Sequence, residues 1–174
     1  MATILELLFF TFILFGDLIS KEFIVKYLVD LPNQSAVILD GIYNFTYVKN
    51  YGATFGIFEG NSLFLIALTV VVCIVIIGFL GYKRDTNKLF RYSLLMCLGG
   101  ALGNLYDRII FGYVRDFIDY AFLDTFFGIN FAIGNVADIF LLVGVLMFIV
   151  YLVFEFKESD ISLKKKRKLD KKSS

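Results

Sequence analysis

Two stretches of this chain, Leu63 to Leu80 and Ile139 to Phe154, contain no charged residue at all. Crossing a hydrocarbon core of roughly 30 Å as a helix takes about 20 mostly apolar residues, so runs of this length and purity dictate a membrane setting before anything else is considered. With its flank the later run extends from about Ile133 to Phe154. Two further stretches, Ile4 to Tyr27 and Leu89 to Ile110, have the length and most of the apolarity. Four transmembrane helices are therefore expected. Composition agrees: 59% of residues are apolar and 19% charged, with a mean hydropathy of +0.78, a far more apolar balance than that of soluble domains.

The first stretch is N-terminal, as a secretory signal would be, but it lacks a basic leading region and a small-residue cleavage site. It also continues in helical pattern through Asp17 and Lys21, which lie four residues apart on one face and can pair. It reads as a retained span. Orientation follows from the uneven distribution of positive charge. Of 17 Lys and Arg, four fall between Lys83 and Arg91 and eight between Lys157 and Lys172. The positive-inside rule makes both regions cytoplasmic, and four spans then put the N-terminus inside too. Residues of about 28–62 and 111–132 face outward. The chain divides into a membrane domain, 1–156, and a basic cytoplasmic tail, 157–174. The tail reads as a disordered, solvated segment near anionic membrane lipids, with no role in nucleic-acid binding.

The first outward segment is too long for a connector. Its β-prone runs Val37 to Leu39 and Ile42 to Val48 flank Asp40-Gly41, a hairpin turn signal, so a small extracytoplasmic β-sheet is expected. The tripeptide Asn44-Phe45-Thr46 matches a glycosylation acceptor, a pattern too short to carry weight.

Histidine is absent, which removes His-dependent serine and cysteine triads and HExxH zinc peptidases. Cys73 and Cys97 lack CxxC spacing and read as small packing residues, suggesting neither metal nor disulfide. Aspartate is left as the leading acid/base group. An ionised side chain costs on the order of 2.5–3.5 kcal/mol at the centre of a membrane helix, so the polar residues in and beside the spans need a reason. They are Asp17, Lys21, Asn104, Asp107, Arg108, Asp116, Asp119, Asn135 and Asp138. Asp116 and Asp138 flank one outward loop and can converge at the outer membrane boundary.

Two adjacent carboxylates do not both ionise cheaply, so one retains a proton near neutrality. The charged member can then take a proton from an attacking water while the other serves a carbonyl oxygen and a leaving nitrogen. Helical spacing puts Asn135 with Asp138, and Asn104 with Arg108, on shared faces. A purely structural reading also stands, in which Asp17 pairs with Lys21 and Asp107 pairs near Arg108. Arg108 and Arg115 are the only cations in view for Asp116 and Asp138. A small proton-coupled transporter is the alternative from another functional class, although carrier acids favour the bilayer midplane and repeated halves, and no repeat is evident here.

Five ordered blocks narrow the choice: Asp17-Leu18-Ile19-Ser20-Lys21; Asn50-Tyr51-Gly52-Ala53-Thr54-Phe55-Gly56; Gly99 through Arg108; Gly112 through Asp119; and Asn135-Val136-Ala137-Asp138. Together they resemble the signature blocks of the lipoprotein signal peptidase (signal peptidase II) family over nearly the whole chain up to the tail. The resemblance implies a bacterial plasma-membrane aspartic endopeptidase. It would cut prolipoproteins on the N-terminal side of a diacylglyceryl-modified cysteine, with its active site near the extracytoplasmic face. It places the catalytic pair at Asp116 and Asp138, and substrate-positioning or site-supporting roles at Asp17, Lys21, Asn50, Gly52, Asn104, Arg108, Asn135 and Ala137. It implies a mainly α fold of four transmembrane helices with an extracytoplasmic β-cradle and a short outer helix, no metal or other cofactor, sensitivity to globomycin-type peptides, and a monomer. Three positions depart from the family pattern: Arg115 and Gly134 replace a small aliphatic residue and a phenylalanine, and Thr54 replaces alanine. Neighbouring side chains diverge in an extended segment, so Arg115 is expected to point away from Asp116.

Overall fold

The computed structural model describes residues 3–52, 58, 60–82, 87–129 and 131–173, with side chains described as far as residue 157. Thr54, the Lys83-Arg84 part of the basic connection and the Lys164 to Lys168 side chains lie outside the described residues. Four long helices dominate: α1 Ile4–Val29, α2 Ser62–Tyr82, α3 Lys88–Phe111 and α5 Val136–Ser173. Strands β1 Ser35–Leu39, β2 Tyr43–Asn50 and β3 Val114–Asp119, with the short helix α4 Ala121–Phe127, fill the connections at one end.

The tail does not follow the disordered reading. Its backbone continues α5 as one 38-residue helix, about 57 Å long at the usual rise. Nothing in residues 155–173 breaks it, because the segment has neither proline nor glycine.

The core lies along α3, which packs against α1, α2 and α5. More than half of α3 is buried, whereas α2 buries only Leu65, Cys73 and Ile76. Small residues make the close packing possible. A Cβ at Gly100 would stand 2.6 Å from the Ala137 carbonyl oxygen of α5, and one at Gly103 would collide with the Asp17 carboxyl group of α1. Gly112, at φ 81°, then ends α3 in the left-handed conformation that glycine adopts without strain, turning the chain into β3.

Three helices, α2, α3 and the Val136–Lys157 part of α5, are long and apolar enough to cross a membrane. The expected fourth, α1, carries Glu6, Asp17, Lys21, Glu22 and Lys26. Glu6, Asp17 and Lys21 are buried, while Leu5, Leu8, Phe12, Phe15, Ile19 and Phe23 are exposed. These three charges thus turn inward, whereas Glu22 and Lys26, toward the sheet end of the helix, are exposed. At the end remote from the sheet, Arg91 forms a two-pronged ion pair with Glu6, at 2.5 and 3.0 Å, and donates to the Leu80 carbonyl at 3.2 Å. This single guanidinium joins α1, α2 and α3.

The expected hairpin is present, and the sheet gains a third strand, in antiparallel order β1-β2-β3. Between the Phe45↔Ile118 and Val48↔Asp116 pairs, β2 carries one extra residue, a bulge that bends the strand. On the other side of β3, the chain entering α5 is tied at Gly134. Its carbonyl accepts from Phe117 and Ile118 N–H at 2.8 and 2.7 Å, and its N–H donates to the Ile118 carbonyl at 3.0 Å. Helix α5 therefore begins at a fixed place beside β3, at Val136 rather than about Ile133.

Candidate active site

Asp116 belongs to β3 and is 2% exposed. Alternation along the strand turns Val114 and Asp116 toward a cavity and Arg115 the other way. Both Asp116 oxygens accept amide hydrogens: Oδ1 from Asn135 Nδ2 at 2.6 Å and Oδ2 from Asn50 Nδ2 at 2.9 Å. Asp138 lies in the first turn of α5. Its Oδ1 accepts from Asn104 Nδ2 at 2.8 Å and its Oδ2 from the Asn135 backbone N–H at 3.0 Å, while its own N–H donates to Asn135 Oδ1 at 3.1 Å. This reciprocal arrangement is a capping box, which corrects the expectation that Asn135 and Asp138 share a helix face: Asn135 precedes the helix and caps it. The two carboxyl groups line a common cavity of about 780 Å³. Burial and the neighbouring Asp138 charge push the Asp116 carboxyl up to about 7, against the amide hydrogen bonds from Asn50 and Asn135.

The supporting residues form a continuous polar network behind the pair. Lys21, fully buried, donates to Asp17 Oδ2 at 2.7 Å and to Asn104 Oδ1 at 2.8 Å, and lies 3.6 Å from Asp107. Asp17 Oδ1 in turn accepts from the Ala137 N–H at 2.9 Å. That donor is one of the otherwise unpaired groups at the start of α5, which explains why position 137 matters through its backbone. Asn135 Nδ2 also donates to Asn104 Oδ1 at 3.1 Å. On the cavity side, Arg108 donates to the Gly52 carbonyl and the Gly52 N–H donates to Asn50 Oδ1, each at 2.9 Å. The structure thus joins all ten expected site residues. The Asp17–Lys21 pair assumed on spacing is present, and it belongs to the same network as the candidate pair.

One reading changes. Asp107 pairs with Arg115 rather than near Arg108. It accepts from the Arg115 backbone N–H and Nη2 at 2.9 Å each, while Arg115 Nη1 reaches Glu22 at 3.0 Å. Its guanidinium carbon sits 4.4 Å from the Phe111 ring centre. Arg115 therefore points away from Asp116, as expected, and anchors β3 to α3 and α1. The sequence reading also missed Gly134 as a backbone anchor and Tyr120 as a cavity residue. A polar residue beside Asp116 and Asp119 was the only signal for Tyr120.

Apart from Thr69 and Tyr120, the remaining cavity wall is apolar. Leu65, Leu68 and Val72 of α2 face Leu141 and Leu142 of α5, so a greasy recess runs from the carboxyl pair along the helices. Such a recess suits an acyl or apolar peptide ligand.

Fold and site together define a small polytopic membrane protein with two carboxyl groups at one end of its helix bundle. The signal peptidase II (SPase II) family matches residues 9–154, and the chain belongs to that family, which makes it a protease and a multi-pass bacterial membrane protein. It is 41% identical over 144 residues to the lipoprotein signal peptidase of Caldanaerobacter subterraneus subsp. tengcongensis, covering 83% of this chain and 92% of the relative. To the lipoprotein signal peptidase of Caldicellulosiruptor bescii it is 39% identical over 158 residues, 90% and 93% of the two chains. A bacterial membrane enzyme solved by the in meso method at 2.3 Å superposes with a TM-score of 0.78 at 29% identity, over 88% of this chain and 90% of the other. A second, solved by the same method at 1.9 Å, gives 0.72 at 30% identity, over 84% and 91%. Family membership sets aside the transporter alternative.

Proposed function

We propose that this protein is an aspartic endopeptidase that removes signal peptides from diacylglyceryl-modified prolipoproteins, cutting on the N-terminal side of the modified cysteine. The observation that carries the reading is the placement of Asp116 and Asp138 on one apolar cavity, each held by two N–H donors. One carboxylate takes a proton from water as the water attacks the scissile carbonyl. The other, protonated, hydrogen-bonds the carbonyl oxygen and then gives a proton to the leaving nitrogen. Arg108 and the 50–52 segment lie where an extended peptide can be held, and the recess between α2 and α5 receives the acyl chains. Four spans put this end on the extracytoplasmic side and both termini, with the basic tail, inside. Globomycin-type peptides compete for the same cavity, and the enzyme acts as a monomer.

The test is cleavage of a diacylglyceryl-modified precursor by wild type, Asp116→Asn and Asp138→Asn at matched membrane levels. Each variant is expected to lose at least about 10²-fold in turnover. Full turnover by either one rejects the aspartic assignment, and equal cleavage of unlipidated precursor rejects the lipid requirement.

A further inference from the structure

The carboxyl pair is built asymmetrically, and one of its supports lies a layer behind it. A side-chain amide can present either its oxygen or its nitrogen, so its orientation must be fixed by a partner of known polarity. Lysine is such a partner, having donors and no acceptor. Lys21 Nζ donates to Asn104 Oδ1 at 2.8 Å, so the Asn104 nitrogen must face the other way, toward Asp138 Oδ1 at 2.8 Å. Asn135 is fixed independently. Its Oδ1 accepts the Asp138 backbone N–H, which leaves Nδ2 for Asn104 Oδ1 and Asp116 Oδ1. Turning Asn104 over would set its oxygen against Asp138 and its nitrogen against both Lys21 and the Asn135 amide.

Number of donors does not separate the two acids, since each receives two. Their settings do. Asp138 stands in the first turn of α5, where the helix dipole favours a negative charge, and is only half-buried. Asp116 sits on a strand, which offers no such field, and is 2% exposed. The charged and titratable groups around the pair are Lys21 and Asp17 from α1, Arg108 and Asp107 from α3, and Tyr120 between β3 and α4. The cavity face of α2 brings Thr69 and aliphatic side chains.

We infer that Lys21 is a positioning residue that, through the Asn104 amide, holds a donor on Asp138 and so works with the start of α5 and the burial of Asp116 to leave the resting charge on Asp138 and the resting proton on Asp116. The inference rests on the peptidase reading for its consequence: Asp138 is the base that takes the water proton, and Asp116 is the acid that serves the carbonyl oxygen and returns a proton to the leaving nitrogen. The net upward displacement of the Asp116 carboxyl, caused by burial and by Asp138 and opposed by the Asn50 and Asn135 amides and the Lys21 charge, agrees with a proton on Asp116.

Isotope-edited infrared spectroscopy of the full chain with carbon-13 aspartate, reconstituted in lipid, tests this directly. Wild type should show a carbonyl band of an un-ionised aspartic acid that titrates near neutrality. Asp116→Asn should lose that band, and Asp138→Asn should keep it with its titration moved to lower pH, because the repelling charge is gone. A band that survives unchanged in Asp116→Asn and vanishes in Asp138→Asn overturns the assignment. Lys21→Met addresses the lock itself. The expected result is a loss on the order of 10²-fold in kcat, a KM changed less than about 2-fold as expected for an interaction made in the transition state, and a displaced carboxyl titration. A folded Lys21→Met protein with wild-type titration and kcat overturns the lock. The two aspartate variants decide the polarity even where Lys21→Met does not fold. If cleavage of lipidated precursor persisted in both, the peptidase reading would fail while the infrared result on proton location stood by itself.

Discussion

At Asp116, burial and the neighbouring carboxylate oppose two amide donors and win, leaving the carboxyl pushed up to about 7. The sign of the pH dependence follows. Below that point Asp116 keeps its proton and the pair holds the one it needs. Above it, both members are charged and no proton is available for the carbonyl oxygen. Turnover should therefore fall as pH rises through about 7, with the limb reporting the pair as a unit. A pH-rate profile of lipidated-precursor cleavage that stays flat to well above pH 8 would count against it. Arg115, one residue away, should behave differently. Its guanidinium pairs with Asp107 and Glu22, so Arg115→Ala leaves buried Asp107 with the backbone N–H of residue 115 and with Lys21 at 3.6 Å, but without its close ion pair. Breaking a buried pair by removing one partner costs about 3 kcal/mol. Thermal unfolding should show a drop of that order while the pH limb of the surviving enzyme stays in place; a displaced limb would mean that Arg115 acts on the pair directly.

Helix packing is what brings residues 17, 104, 116 and 138 together, and glycine sets it. Gly100 faces the Ala137 carbonyl, and its Cβ would also meet Leu141 at 2.9 Å. Both neighbours belong to α5, one of them backbone, so Gly100→Ala must push the start of that helix away from α3. Overpacking of this kind costs about 1–3 kcal/mol, and here it also moves Asp138 relative to Asn104. The expected outcome is a lower unfolding temperature together with a loss of kcat larger than any rise in KM, both measured on purified enzyme. The elements themselves were legible in the sequence wherever periodicity or purity was strong. The charge-free runs gave α2 and α5, and Asp40-Gly41 gave the β1-β2 hairpin. Strand β3 was harder to read, because Val114 to Ile118 is buried without a break and so lacks the alternation that marks a half-buried strand. Asn135 was misplaced for a related reason: i,i+3 spacing describes a shared face only inside a helix, and a cap residue lies just outside it. The partners of Asp107 and Glu6 were invisible because Arg115 and Arg91 reach them through tertiary contact alone.

For the whole molecule, the topology turns on α1. Summed hydropathy sets it apart from the other three helices because it averages over faces, whereas a bilayer meets only the outer one. Glu6, Asp17 and Lys21 are sealed inside the bundle, each with a partner of opposite charge or polarity, and an intramembrane charge so paired loses most of its cost. The exposed face of leucines, isoleucines and phenylalanines is what lipid would touch. We therefore expect α1 to span, which puts its start on the same side as the end of α5 and the hairpin turn at Asp40 on the opposite side. Single cysteines introduced as Ala2→Cys, Asp40→Cys and Ser173→Cys, in a background with Cys73 and Cys97 changed to alanine, separate the possibilities. An impermeant maleimide added to intact, outer-barrier-free cells should label only the Asp40→Cys protein, and the other two only after the membrane is opened. Labelling of Ala2→Cys from outside would leave α1 lying along the surface. The buried Asp17–Lys21 support for the carboxyl pair would then have to form without a surrounding bilayer, and the three-span arrangement would stand.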